Sequence, residues 1–222
     1  MRSFRHWTAR YLLDRVEEAR YRRRNPDAPW LTPAAIDILD SWLAPGDRGL
    51  EWGSGRSTAW IGGRIARLVS VEHHAGWYEK VRVGLPPSVE LRHCAVADPP
   101  DDGCAYVRTV DLFADGSLDF ALVDGFTELR GACARAVLPK LRPGGLLVID
   151  NANWFIPHAS RSPRTAAQPF SRAWIEVIEA LADWRCIWTS NGVTDTAFWV
   201  RPCATEPTPR QGDEAETTAV RA

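Results

Sequence analysis

Residues 50–60 read LEWGSGRSTAW. A short apolar run over residues 49–52 carries an acid, Glu51, and meets two glycines, Gly53 and Gly55, one residue apart. The chain then leaves through Ser57 and Thr58 into residues 57–67, whose apolar positions follow a helical period. Closely spaced glycines let the backbone turn sharply and let a ligand approach where a Cβ would stand. A glycine turn between a strand and a helix is where doubly wound sheets bind nucleotides, because the helix start offers unpaired N–H groups. Taken alone, Gly-x-Gly also describes an ordinary tight turn, so the rest of the chain must decide.

Outward from this turn, β-like runs alternate with helical ones. Strands are expected at residues 49–52, 68–73, 89–94, 118–124 and 145–150, and helices at 57–67, 75–83 and 127–141, with Pro139 in the last turn of the third. Such alternation predicts an α/β fold with a parallel sheet covered on both faces, Rossmann-like and doubly wound. Upstream, residues 1–24 have helical spacing, Pro26 and Pro29 interrupt them, and Thr32 is the expected N-cap of a helix opening at Pro33. Downstream, residues 151–169 are irregular and residues 170–183 are helical. Two further strands, 185–190 and 196–202, flank Asn191-Gly192 and predict an antiparallel hairpin, completing a mostly parallel seven-stranded sheet. The polar stretch 203–222 is expected to be a disordered tail.

The bulk composition narrows the function classes. A chain of 222 residues with a formal net charge of −1 has no electrostatic reason to take nucleic acid as its main partner. No apolar run approaches the roughly 20 residues of a membrane span. Charges scattered through the first 24 residues leave no apolar signal segment. The five cysteines, odd in number and without a Cys-x-x-Cys pair, predict reduced thiols and a cytoplasmic protein.

Which ligand the turn holds depends on two acids. Glu72 ends the second expected strand about 20 residues after the turn, where an acid takes ribose hydroxyls in dinucleotide-binding folds. An adenosine-type ligand follows. A pyrophosphate at the turn would be repelled by Glu51, and Thr58 stands where Gly-x-Gly-x-x-Gly has its third glycine. An ammonium suits that acid. S-adenosylmethionine (SAM) has one, together with a carboxylate, a sulfonium and an adenosine.

The sequence resembles the class I SAM-dependent methyltransferases. LEWGSGRST resembles that family's first motif, VSVEH its ribose-binding acid, DFALVDG its fourth-strand motif, and LRPGGLLVIDN its turn into the fifth strand. The terminal hairpin is similar to the family's antiparallel seventh strand, and the resemblance covers residues 45–202, which implies a SAM-binding domain over 45–202 and an N-terminal helical cap over 1–44. It implies that Glu51, Gly53 and Gly55 form the amino-acid end of the cofactor pocket, with Ser54, Ser57 and Thr58 near its carboxylate. It further implies that Glu72 takes the ribose diol, with His73 beside the adenine and Asp98 at the adenine amino group. Trp77 is a further candidate to cover the adenine.

For catalysis, Asp124, Asp150 and Asn151 fall at the ends of neighbouring expected strands. Two carboxylates and an amide oxygen suit a hard cation such as Mg²⁺. This pattern resembles the metal-dependent O-methyltransferases, in which the ion holds a substrate hydroxylate. Without a metal, Asp124 and the loop residue His158 are the candidate catalytic groups, with His158 as general base. The acceptor is expected to be a small molecule, methylated at a hydroxyl oxygen, with Trp30, Trp154 and Phe155 as candidate pocket residues. No Asn-Pro-Pro-Tyr motif is present, so DNA is not expected as substrate. Two alternatives stay open: a nicotinamide-dependent oxidoreductase, and a non-catalytic SAM-fold interaction protein.

Overall fold

The computed structural model describes residues 7–203; the first six residues of the expected first helix and the expected tail at 204–222 lie outside the described residues. Helix α1 (Ala9–Arg24) and α2 (Pro33–Trp42) precede the first strand. There follow β1 (Arg48–Trp52), α3 (Arg56–Gly62), β2 (Arg67–Glu72), α4 (Ala75–Val81) and β3 (Val89–His93). A short α5 (Ala105–Arg108) leads to β4 (Leu118–Val123), α6 (Arg130–Val137) and β5 (Leu141–Asp150). The chain closes with α7 (Arg172–Ala180), β6 (Arg185–Ser190) and β7 (Asp195–Val200).

The strands form one sheet in the order β3-β2-β1-β4-β5-β7-β6. β1 pairs in parallel with both β2 and β4, and the next neighbours outward, β3 and β5, are parallel too. β7 runs antiparallel between β5 and β6. The strand order therefore reverses between β1 and β4, and a crevice opens at the carboxyl ends of those two strands.

Side chains alternate across the sheet. Leu50, Trp52, Ala121, Val123, Leu147 and Ile149 pack with residues of α5, α6 and α7. Phe120, Leu122, Leu146, Val148 and Phe198 pack with Ala35, Ile36 and Leu39 of α2 and Ile61 of α3. Glu51 lies opposite Ser70 on β2 and Leu122 on β4, so it occupies a position of this second layer that periodicity assigns to an apolar side chain. α2 thus belongs to the core of the sheet. Its start is the expected one: Thr32 Oγ1 accepts from the Ala35 amide at 3.2 Å, with Pro33 as the first helical residue.

Several boundaries differ from the sequence reading. α3 stops at Gly62 rather than at residue 67, because Gly62 and Gly63 end it and β2 begins at Arg67. The helix expected at 127–141 is split: α6 is flanked by 3₁₀ turns at Thr127–Leu129 and Leu138–Lys140, the second holding Pro139. β5 begins at Leu141 rather than residue 145, with a register shift against β4 between Leu118 and Phe120. α5 was not expected, although Tyr106, Val107, Val110 and Phe113 bury one face of it and of the turn that follows. All five cysteines are free thiols. Among the described residues no helix is long and apolar enough to cross a membrane.

Candidate functional site

The turn after β1 is built around one obligatory glycine. Gly53 has φ +95°, and a Cβ there would meet the backbone C and O of Asp124 at 2.6 Å and the Gly125 amide nitrogen at 2.7 Å. Only glycine lets the chain leave β1 so close to the end of β4. Gly55 differs, since a Cβ on it would meet nothing within 4 Å; the space above it is open.

Beneath the turn lies Glu51, fully buried. Its Oε2 accepts from Thr58 Oγ1 and from Ser70 Oγ, both at 2.5 Å, while Oε1 is buried without a hydrogen-bond partner. The Gly55 amide donates to Thr58 Oγ1 at 2.8 Å, and Ser54 and Ser70 share a hydrogen bond of 2.7 Å. Burial raises the Glu51 carboxyl to about 7, against the neighbouring hydroxyls, which lower it. The acid braces the turn from below and does not form part of the wall above it.

Above the turn a cavity of about 520 Å³ is walled by Gly53, Ser54, Gly55 and Ser57, by Glu72 and His73, and by Asp124. Trp30, Leu31, Arg56, His74, Trp77 and Gly125 complete its rim. Glu72 Oε1 accepts from the His74 amide at 2.7 Å and lies 3.1 Å from His73 Nδ1. Burial alone would raise the Glu72 carboxyl, but its bonds to His73 and to the backbone of His74 and Ser54 outweigh that and hold it below the usual value. Trp77 Nε1 donates to the Ser54 carbonyl at 2.6 Å, tying α4 to the turn. His73 sets its ring edgewise against Phe126, with centroids 5.1 Å apart. Across the mouth stands Trp30, 57% exposed, with the Arg56 guanidinium 5.6 Å from its ring centroid.

No protein-family model and no curated protein matches the sequence. Solved structures do match its fold. The O-methyltransferase TomG from Streptomyces achromogenes, involved in tomaymycin synthesis and solved in complex with SAM, superposes with a TM-score of 0.53 at 20% identity, over 84% of this chain and 89% of that one. An O-methyltransferase from Bacillus cereus in complex with SAH gives 0.54 at 18% identity, over 84% and 90%. A precorrin 8W decarboxylase from Methanobacterium thermoautotrophicum gives 0.51 at 16%, over 79% and 92%. This chain has the class I methyltransferase fold. The strand order, with its antiparallel β7 between β5 and β6, is the architecture expected from the terminal hairpin.

Within this methyltransferase fold, seven of the residues expected at the cofactor come together on one cavity: Gly53, Ser54, Gly55, Ser57, Glu72, His73 and Asp124. Glu51 and Thr58 lie under it. Asp98 is exposed in the loop after β3 and is not on the cavity wall. His158 is also elsewhere. Its ring stacks on Trp188 of β6, with centroids 3.9 Å apart, and β5 and β7 stand between β6 and β4. Three strand spacings, about 14 Å, separate β6 from β4. Phe155 is fully buried against Trp174, with centroids 5.0 Å apart, and is a core residue rather than a pocket residue. Trp154 is half-buried beneath Arg164 and is not on the cavity wall either.

The three residues expected to hold Mg²⁺ are engaged otherwise. Asp150 Oδ1 accepts from Thr196 Oγ1 at 2.7 Å, on the β7 side, and burial together with the Asp124 charge raises its carboxyl to about 8. Asn151 Nδ2 donates to Thr194 Oγ1 at 2.6 Å. Asp124 Oδ1 accepts from Arg130 Nη2 at 2.8 Å, and Arg130 Nη1 lies 3.3 Å from Asn151 Oδ1. Burial raises the Asp124 carboxyl against the lowering effect of that guanidinium. Among the described residues no group of three or more His, Cys, Asp and Glu is arranged to hold a metal ion. With the Arg130 guanidinium on Asp124 Oδ1 and Asn151 Oδ1, and Asp150 Oδ1 taken by Thr196, these residues do not fit a divalent cation. Arg130 is a residue of this cluster that the sequence reading did not single out. A signal was there: an arginine opens α6, where the helix dipole favours an acid, so nearby oxygens had to compensate it.

Proposed function

We propose that this protein is a SAM-dependent methyltransferase acting on a small-molecule acceptor at a hydroxyl oxygen. The observation that carries the reading is the convergence on one cavity of the glycine turn, the ionised Glu72 and the Asp124 carboxylate, at the crest between β1 and β4. The open space over Gly55 is a cradle that a Cβ would begin to fill. Glu72 takes the ribose diol, with His73 and Trp77 beside the adenine. The Ser57 hydroxyl meets the methionine carboxylate, the Ser54 hydroxyl being committed to Ser70. Glu51, whose carboxyl is raised to about 7, carries negative charge under the turn above that pH, which favours an ammonium above it and disfavours the phosphates of a nicotinamide cofactor.

When bound, SAM supplies an electrophilic methyl group for in-line displacement. Asp124 keeps Oδ1 on Arg130 and has Oδ2 free to orient the acceptor hydroxyl and take its proton. A carboxyl raised above its ordinary value is the better base for this step. The segment between α1 and α2 serves as the cap, with Trp30 and Leu31 closing the mouth of the cavity, while α2 itself packs in the core. The free cysteines suit a cytoplasmic setting.

Calorimetric titration with SAM, SAH and NAD tests the cofactor. SAM and SAH are expected to bind and NAD is not; NAD binding with no response to the other two overturns the reading. A screen of phenolic and other hydroxyl acceptors that detects SAH release, with Glu72→Ala as control, then tests the transfer.

A further inference from the structure

The guanidinium of Arg130 is saturated. Nε donates to the Gly125 carbonyl at 2.9 Å, Nη1 to the Asp150 carbonyl at 2.9 Å and to Asn151 Oδ1 at 3.3 Å. Nη2 donates to the Asp124 carbonyl at 2.9 Å and to Asp124 Oδ1 at 2.8 Å. Arginine has five N–H donors, and each meets an oxygen at the carboxyl end of β4 or β5. The side chain is only 7% exposed, and the Phe155 ring, itself backed by Trp174, packs 5.4 Å from the guanidinium carbon. A planar fork held on every donor and covered by an aromatic ring is fixed in place rather than free to move aside.

We propose that Arg130 is the resident cation of this site: it stands where a divalent ion would bridge the ends of β4 and β5, leaves the site independent of metal, and positions Asp124 toward the cavity. The positioning of Asp124 for reaction rests on the methyl-transfer reading; the occupation of the cation position does not. The oxygens that Arg130 gathers are of the kind a hard cation takes, namely a carboxylate, an amide oxygen and backbone carbonyls. A second, doubly charged ion beside the guanidinium would be repelled by it, and Asp150, the carboxylate that ends β5, has its Oδ1 committed to Thr196. Arg130 is therefore a positioning residue. It holds one oxygen of Asp124 and leaves the other to a ligand.

The test uses the whole protein, stripped with chelator and titrated with Mn²⁺ under electron paramagnetic resonance, with and without SAH. Wild type is expected to leave the free-ion signal unchanged. Saturable loss of that signal, abolished by Asp124→Asn, overturns the proposal. Arg130→Met vacates the oxygen cage and is expected to gain Mn²⁺ binding; a folded Arg130→Met protein that gains none also overturns it. If that variant does not fold, the wild-type titration alone decides. SAH calorimetry on the same samples separates the two readings: absence of SAH binding sinks the methyl-transfer reading while the Mn²⁺ result still stands. Where an acceptor is in hand, Arg130→Lys is expected to lower kcat about tenfold or more with acceptor KM and melting temperature little changed, because an ammonium cannot reproduce the fork. Parallel loss of melting temperature and KM would mean a structural role alone.

Discussion

Thr58 Oγ1 donates to Glu51 Oε2 at 2.5 Å and accepts from the Gly55 amide at 2.8 Å, so one hydroxyl joins the buried acid to the backbone of the glycine turn. Thr58 stands where a dinucleotide fingerprint has its third glycine. There a glycine allows close packing of helix on strand; here the extra side chain bridges two groups that glycine could not reach. The acid and the missing glycine are thus one arrangement.

The burial of Glu51 makes stability depend on pH. Its folded pKa of about 7 lies above the ordinary 4.5, so between those values the native state holds a proton that the unfolded chain releases. Stability must then fall as pH rises through that window, by about 1.4 kcal/mol per unit and about 3 kcal/mol across it. Glu51→Gln keeps an oxygen acceptor for Thr58 and Ser70 and removes the proton. Urea melts from pH 5 to pH 8 should show wild type losing about 2–3 kcal/mol more than the variant. Equal slopes would mean that Glu51 is already ionised in the fold.

The two glycines of the turn should separate folding from binding. Gly53→Ala forces a side chain into a positive φ and onto the Asp124 backbone, and should cost about 2–5 kcal/mol of stability. Gly55→Ala meets nothing in the protein and should leave the melt within about 0.5 kcal/mol. Its Cβ enters the cavity instead, so SAM affinity should fall roughly tenfold or more. Denaturant melts and calorimetry on the pair check this, and a Gly55→Ala protein that binds SAM normally would move the cofactor off the turn.

The parallel strands were legible because each is a short apolar run bounded by turn residues, and the hairpin because Asn191-Gly192 separates two such runs. The glycine turn, Glu72 and Asp124 were legible because they sit at strand ends, where periodicity stops and chemistry begins. α5 escaped because it spans only one turn, too short for a helical period to stand out among the surrounding loops. Arg130 escaped for another reason. Its partners are mostly backbone carbonyls from two strands, and no local pattern encodes a side chain's reach across the fold. His158 shows the converse error: a histidine in the loop after β5 suggested chemistry, but the stretch of chain that carries it runs out over β6, and Trp188 takes the ring.

Glu72 offers the most direct check on the adenosine end. Its carboxylate is held below the ordinary range, so it accepts hydrogen bonds as an anion throughout neutral pH. Hydrogen bonds to a charged group are worth about 1.5–3 kcal/mol, so Glu72→Ala should weaken SAM and SAH alike by about 10–100-fold. Affinity in the wild type should stay flat from neutral pH down toward the carboxylate range. Calorimetry at several pH values reads both, and an unchanged Kd in the variant would remove the ribose from this acid.

The last prediction concerns which group takes the acceptor proton. His158 is exposed and packed on Trp188, whose Nε1 donates to Asp195 at 2.8 Å, while Asp195 also accepts from Ser162 at 2.5 Å. These bonds fasten the His158 loop to the hairpin and give it no reason to swing toward β4. His158→Ala should therefore cost about 1 kcal/mol or less in stability, from the lost ring contact. SAH formation should remain within about twofold of wild type. Asp124→Asn keeps the shape of the side chain but removes the base, and should lower turnover about 100-fold or more while SAH still binds. Rates measured on both variants decide between the two groups. A large loss on His158→Ala with Asp124→Asn nearly unaffected would require the loop after β5 to close over the cavity in the working enzyme.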